Sequence, residues 1–307
     1  MAQSESHPMP CASEHPRLAI ATRLHLGQSS HPPPTQQLAE TLSNFAKLAA
    51  SVNADIAVVA VDAEDKLEGY SLVAEVEGIC HRINEQIHDR NRDPKQQPCQ
   101  DNLQQQPSRI HVLPVQPWGK FIPALNAIVA YSARQQAQCL LFASAEVSIQ
   151  GCVMERMWSE MNLEDTLVVG AALQGHHHQT PPSQTNEIEV ELTGRTCPWN
   201  TFALWNLPKL SLTGFLQVSE GLHATTGEAS AGIEEVCTIA TLQRIFPQHT
   251  VKAKLVKICP PAVVEWGQDF NDDEARREWH ERKMRSKEVR AKNQLDLLGL
   301  RGVVIHC

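Results

Sequence analysis

Five short apolar runs, spaced by segments of helical periodicity, constrain this chain more tightly than any other feature in it. They are residues 17–26 (RLAIATRLHL), 56–61 (IAVVAV), 110–115 (IHVLPV), 139–143 (CLLFA) and 167–172 (LVVGAA). Runs this short, apolar without strict alternation, read as strands covered on both faces. Between the first two, residues 35–52 place Leu38, Leu42, Phe45, Leu48 or Ala49, and Val52 at steps of three or four, the period of an amphipathic helix. Thr35, just after Pro32-Pro33-Pro34, is the expected N-cap. Further helices are expected over residues 71–87 and 122–136. This order predicts an α/β fold, a mainly parallel sheet with helices on both faces and right-handed crossovers. Sheets of that kind bind ligands beyond the carboxyl ends of their strands, which here means Thr22, Arg23, Asp62 and Ser144-Ala145-Glu146.

The formal net charge of −8 argues against nucleic acid or an anionic membrane as partner, since neither attracts an acidic surface. Nine cysteines form no CxxC pair, and residues 1–15 are polar, with no apolar core of a secretory signal. No apolar run reaches the roughly 18–20 residues of a membrane span. Free thiols and a cytoplasmic location are therefore expected.

The organisation expected is a disordered tail over 1–15, one large α/β domain over 16–262 and a helical extension over 263–307. Residues 84–108, rich in Gln, Asn and Asp, read as a surface insertion beyond the end of their helix. The second half is less regular. It holds a polar loop at 175–187, an apolar and aromatic stretch at 197–215, a helix at 232–246 and a strand at 251–258. The charged helix expected over 272–300 carries acid–base pairs at i,i+4, namely Asp273–Arg277, Glu278–Arg282, Glu281–Arg285 and Glu288–Lys292. Its basic stretch, 282–292, reads as a solvated face.

Four pieces in this order resemble the GT-A glycosyltransferases, the nucleotide-diphospho-sugar transferase family. They are the opening strand with Thr22 and Arg23 followed by Val61-Asp62, then Gly119-Lys120 with Ala124-Leu125-Asn126, then LLFASAEV at 140–147, and Gly232-Ile233-Glu234-Glu235 opening a later helix. The resemblance covers roughly residues 16–260 and implies transfer of a sugar from a nucleotide-sugar donor to a glycan or other hydroxyl acceptor. It also implies a divalent cation, Mg²⁺ or Mn²⁺, held by oxygen ligands against the donor's diphosphate. The sequence departs from the family where Ser144 and Glu146 stand at the two aspartates of Asp-x-Asp, leaving Glu146 as the one carboxylate for metal.

Each candidate carries a plainer reading beside the functional one. Asp62 can accept from a base or ribose, or simply form a turn. Thr22, Arg23, Lys120, Asn126, Ser144 and Arg195 are donor-site candidates, the basic ones for phosphate or else ordinary surface charges. Trp199, Asn200 and Trp205 are candidates for an acceptor platform, or core. Glu234 and Glu235 suit a helix N-terminus electrostatically, or one of them removes the acceptor's proton. Adjacent helical residues point about 100° apart, so one alone can do so, and the family's pattern favours Glu235. His176-His177-His178 sit in a polar loop, and consecutive residues rarely converge on one ion. Two other functions compete with transfer: a fold of this kind that binds a nucleotide or glycan without turnover, and a nucleotidyltransferase. The latter wants a glycine-rich basic loop after the first strand, where residues 24–34 (LHLGQSSHPPP) offer one glycine and no lysine.

Overall fold

The computed structural model describes residues 16–26, 31–64, 66–90, 108–182, 185–221, 232–266 and 274–307. The expected tail over 1–15 and most of the expected insertion, 91–107, lie outside them. The apolar runs form strands β1 (Leu18–Leu24), β2 (Ile56–Asp62), β5 (Ile110–Val115), β6 (Cys139–Ala143) and β8 (Thr166–Ala171). All seven residues of β2 are buried, as the unbroken apolar run requires. The periodic segments form α1 (Thr35–Ser51), α2 (Leu72–Arg90) and α3 (Ile122–Arg134). Thr35 begins α1 but does not cap it; Pro34 holds that position and no side-chain cap bond forms. The segment after β2 contains a small hairpin, β3 (Lys66–Leu67) with β4 (Tyr70–Ser71).

Sequence periodicity overlooked several short elements. A strand β7 (Val147–Gln150) follows the candidate site and pairs antiparallel with β12 (Val263–Trp266). Next come α4 (Val153–Glu160) and β9 (Ile188–Glu191). The aromatic stretch supplies β10 (Phe202–Asn206) and the single turn α5 (Leu207–Leu210). The remaining elements are α6 (Glu234–Ile245), β11 (Lys252–Val256), α7 (Glu274–Leu298) and β13 (Val303–His306).

Among the described residues the main sheet has nine strands, in the order β5-β2-β1-β6-β10-β8-β11-β13-β9. Parallel pairing joins β5, β2, β1 and β6, and again β8, β11 and β13. Strand β10 enters between β6 and β8 and runs antiparallel to both, the antiparallel member in an otherwise parallel stretch of the sheet. Strand β13 pairs with β11 and β9, so the segment expected as a helical extension also gives a strand to the main sheet. Pro114 is tolerated in β5 because that strand lies at the sheet's edge, where a missing N–H leaves no partner short. Helices α1 and α2 touch each other; with the strand order seen here, the right-handed crossover rule puts them on one face of the sheet and α3 on the other. Among the described residues no helix is long and apolar enough to cross a membrane. The cysteines at 80, 139, 152, 197, 237, 259 and 307 are free thiols.

Candidate functional site

The chain lays β2 and then β5 to one side of β1, and returns to place β6 on the other. The crossovers leaving β1 and entering β6 therefore diverge, and the carboxyl ends of these two strands border a crevice. A cavity of about 440 Å³ opens there. Strand β1 contributes Ala21, Thr22 and Arg23, and β6 contributes Phe142, Ala143 and the following Ser144. Because β10 is antiparallel, its start rather than its end reaches the same edge; Phe202 faces Ala143, and Ser144 N–H donates to the Thr201 carbonyl at 2.9 Å. Asn200 and Thr201 thus join the wall. The loop before α3 adds Trp118, Lys120 and Phe121, the start of α6 adds Glu234 and Glu235, and α7 adds Lys287 and Arg290.

The cavity's charge opposes that of the whole molecule. Arg23, Lys120, Lys287 and Arg290 line it against two carboxylates, in a chain of formal net charge −8. Lys287 is held in place: its Nζ lies 4.0 Å above the centre of the Trp199 ring, a cation–π contact. Trp199 is fixed in turn by stacking on His176, ring centres 3.6 Å apart, and by donating from Nε1 to the Gly194 carbonyl at 2.9 Å. Gly194 lets α7 approach this closely, since a Cβ there would overlap the Lys287 carbonyl.

Glu235 is only 4% exposed, and its Oε1 accepts the Asn200 backbone N–H at 2.7 Å. Burial first, and then the neighbouring Glu234 charge, push its carboxyl up to about 7, against the opposing pull of Lys287 and of the Asn200 N–H. Asn200 Oδ1 accepts from Trp205 Nε1 at 2.9 Å, while its Nδ2, buried at the cavity wall, has no hydrogen-bond partner among the described residues. Burial lowers the Arg290 guanidinium, and the charge of Glu234 works the other way.

A third carboxylate organises the loop carrying Lys120. Glu220 lies in a 3-10 turn at Gln217–Glu220, and its Oε1 accepts the N–H groups of Lys120, Phe121 and Ile122 at 3.0, 2.8 and 2.8 Å. These are donors that the start of α3 would otherwise leave unmade. Gly119 has φ +63, and a Cβ there would sit 3.1 Å from that same Glu220 oxygen, so both the turn and the close approach call for glycine.

The cavity brings together Thr22, Arg23, Lys120, Ser144, Asn200, Glu234 and Glu235 from the sequence candidates. Asp62, Asn126, Glu146, Arg195, Trp199 and Trp205 are not among its lining residues. Asp62 Oδ1 accepts from the Glu64 N–H at 2.8 Å, the turn-forming role. Asn126 ties α3 to Phe215, accepting from its N–H at 2.7 Å and donating to its carbonyl at 2.9 Å. Arg195 donates from Nε to the Gly175 carbonyl at 2.8 Å. Trp199 and Trp205 are 1% and 0% exposed, so neither ring offers a sugar its face; both belong to the core. The basic face of α7 also differs from expectation, because Lys287 and Arg290 turn inward to the cavity. Their spacing of three, which puts both on one helical face, was the available signal. Glu281–Arg285 forms at 3.5 Å, whereas the side chain of Arg277 lies outside the described residues.

Among the described residues, the ligand set of this cavity fits a divalent cation poorly. Ser144 lines it, but Glu146 is exposed and outside the lining, and the two carboxylates that are present sit beside ammonium and guanidinium groups. A second acidic cluster, Glu160, Glu187 and Cys307, is already occupied by an ammonium: Lys254 Nζ contacts Glu160 at 3.0 Å and Glu187 at 2.8 Å. The consecutive histidines diverge, with His176 on Trp199 and His178 stacked on His306 at 4.9 Å.

No protein-family model and no curated protein matches the chain. Among solved structures it is similar to residues 1–349 of S. aureus TarS, at 10% identity and a TM-score of 0.36, covering 73% of this chain and 54% of that one. It is similar also to the same protein in complex with UDP-GlcNAc, at 13% identity and a TM-score of 0.35, covering 73% and 52%. The chain thus spans about half the length of these structures.

Proposed function

We propose that this protein binds a nucleoside-diphosphate sugar at the β1/β6 crevice and transfers the sugar to a hydroxyl acceptor. The observation that carries this reading is a locally cationic cavity, at the switch point of the sheet, that also holds a buried carboxylate raised towards neutral pH. The cations suit a diphosphate, and a base with a pKa near working pH suits removal of a hydroxyl proton. In the step proposed, the acceptor oxygen attacks the anomeric carbon and its proton passes to Glu235. The bond from that carbon to the phosphate oxygen breaks, and its electron pair leaves with the nucleoside diphosphate. The charge of Glu234, adjacent on the helix, raises the basicity of Glu235. Asn200 Nδ2, without a partner among the described residues, is a donor suited to a sugar or acceptor hydroxyl.

Thermal shift across UDP, GDP, ADP and CDP, followed by nucleoside-diphosphate release from the corresponding sugars, tests this reading. At least one nucleotide should raise the midpoint, and its sugar should be turned over. A flat response to all four would sink the proposal. Binding without turnover would favour the non-catalytic alternative.

A further inference from the structure

The cavity carries a charge arrangement that an Asp-x-Asp site would not need. The residues standing at that motif do not converge, since Ser144 borders the cavity and Glu146 points to solvent outside it. Meanwhile α7 presents Lys287 and Arg290, three residues apart and so on one helical face, as part of the wall. We propose that these two side chains bind the donor's diphosphate in place of a divalent cation, so that binding and departure of the nucleoside diphosphate proceed without metal. This rests on the nucleoside-diphosphate reading above.

Three features support it. The cations come from separate elements, with Arg23 at the end of β1, Lys120 before α3 and the α7 pair, so a diphosphate entering the crevice meets positive charge from several directions. Lys287 is positioned before any ligand arrives, because the Trp199 ring fixes one side of its ammonium at 4.0 Å. An ammonium has three donors, so those turned from the ring remain for phosphate oxygens. A group ordered in advance loses less freedom on binding. The helix itself is seated by two close approaches. Gly194 meets the Lys287 backbone, and a Cβ at Gly175 would come within 2.9 Å of Met284 Sδ. Guanidinium offers paired donors matched to phosphate, and Arg290 reaches the cavity from the next turn of the same helix. As the anomeric C–O bond breaks, the charge gathering on the phosphate oxygen is then met by fixed cations.

The test is calorimetric titration of the full chain with UDP, GDP, ADP, CDP and inorganic pyrophosphate, in EDTA and again in Mn²⁺. At least one nucleoside diphosphate should bind in EDTA with affinity within about two-fold of that in Mn²⁺. Lys287→Met with Arg290→Gln should weaken it by more than about ten-fold, and Lys287→Arg should largely restore it in the single-site background. Should the double variant not fold, Gly194→Ala provides the second test. It displaces α7 without altering any charge, and should weaken nucleotide and pyrophosphate binding together. Binding that appears only with Mn²⁺ would overturn this inference and leave nucleotide-sugar recognition standing. Affinity unchanged in a folded double variant, or in Gly194→Ala when the double variant fails, would overturn the assignment to α7. No binding of any nucleotide under either condition would overturn the reading beneath it.

Discussion

Glu220 and Glu235 are both 4% exposed, and their surroundings differ in how fully donors meet the carboxylate. One oxygen of Glu220 accepts three N–H groups at the start of α3, so its charge is met by donors that need it. Glu235 accepts N–H groups from Asn200 and from its own backbone, stands next to another carboxylate, and opens on the cavity. Its negative form is under-compensated, and burial drives it towards the protonated state. Burial is equal at the two sites, so the number of donors aimed at each carboxylate is what distinguishes them, and it is the reason Glu235 is the base in the function proposed.

The largest expected effect follows from removing the under-compensated group. Glu235→Gln keeps an acceptor for the Asn200 N–H but cannot take a proton, so kcat should fall by about 10²–10⁴ with nucleotide affinity nearly unchanged. Turnover surviving in this variant would assign the base elsewhere, with Glu234 the next to test. Glu220→Ala should act the other way, on folding. Three N–H groups lose their acceptor, and at roughly 1 kcal/mol or more apiece the loss is about 3 kcal/mol in urea denaturation. Glu220→Gln, which retains an acceptor oxygen, should recover part of it. A cost below about 1 kcal/mol for the alanine variant would mean that water replaces the carboxylate, and the contrast between the two sites would dissolve.

The first half of the sheet was legible because its strands are short, largely apolar runs and each crossover a full helix, so period and length agree. Strands β9 and β10 were not. β9 is four residues long with a single buried position, and β10 sits inside an aromatic stretch whose tryptophans suggest a ligand platform as readily as a core. Which reading holds depends on β10 entering between β6 and β8, a long-range pairing that local pattern does not encode. The site was half legible for the same reason. Thr22, Arg23 and Ser144 follow from strand ends, and Glu234-Glu235 from a helix start. Lys287 and Arg290 lie more than fifty residues further along the chain, in a helix whose composition reads as solvated, and only tertiary packing at Gly194 and Gly175 turns that face inward. Glu220 had no sequence signature, because the N–H groups it accepts are about a hundred residues away.

Stability against pH sharpens the contrast further. The folded-state pKa of Glu235 is raised from 4.5 to about 7, so the folded protein holds this proton more tightly than the unfolded chain. The resulting stabilisation is complete below pH 4.5 and is lost as pH rises through about 7. Over that window the native protein should lose up to about 3 kcal/mol relative to Glu235→Gln, in which other titrating groups are shared and cancel. A parallel pair of stability curves would show that Glu235 ionises as it does in the unfolded chain.

The smallest effect is also the most specific, because it joins the carboxylate to the proposed diphosphate site. Lys287 at present favours the ionised form of Glu235. A diphosphate bound by Lys287 and Arg290 would draw that cation's field to itself and add negative charge nearby. Both changes favour the protonated carboxyl, so nucleotide binding near pH 7 should take up as much as about half a proton. Calorimetry in buffers of differing ionisation enthalpy measures this directly, and the uptake should vanish in Glu235→Gln but persist in Glu220→Gln. By linkage, nucleotide affinity should weaken as pH rises from about 6 to 8. The base is then mostly protonated in the donor complex at neutral pH, so kcat should still be rising at about pH 8, where the complex regains its carboxylate. Proton release on binding, or uptake that survives Glu235→Gln, would separate the carboxylate from the phosphate site and leave the two as neighbours without communication.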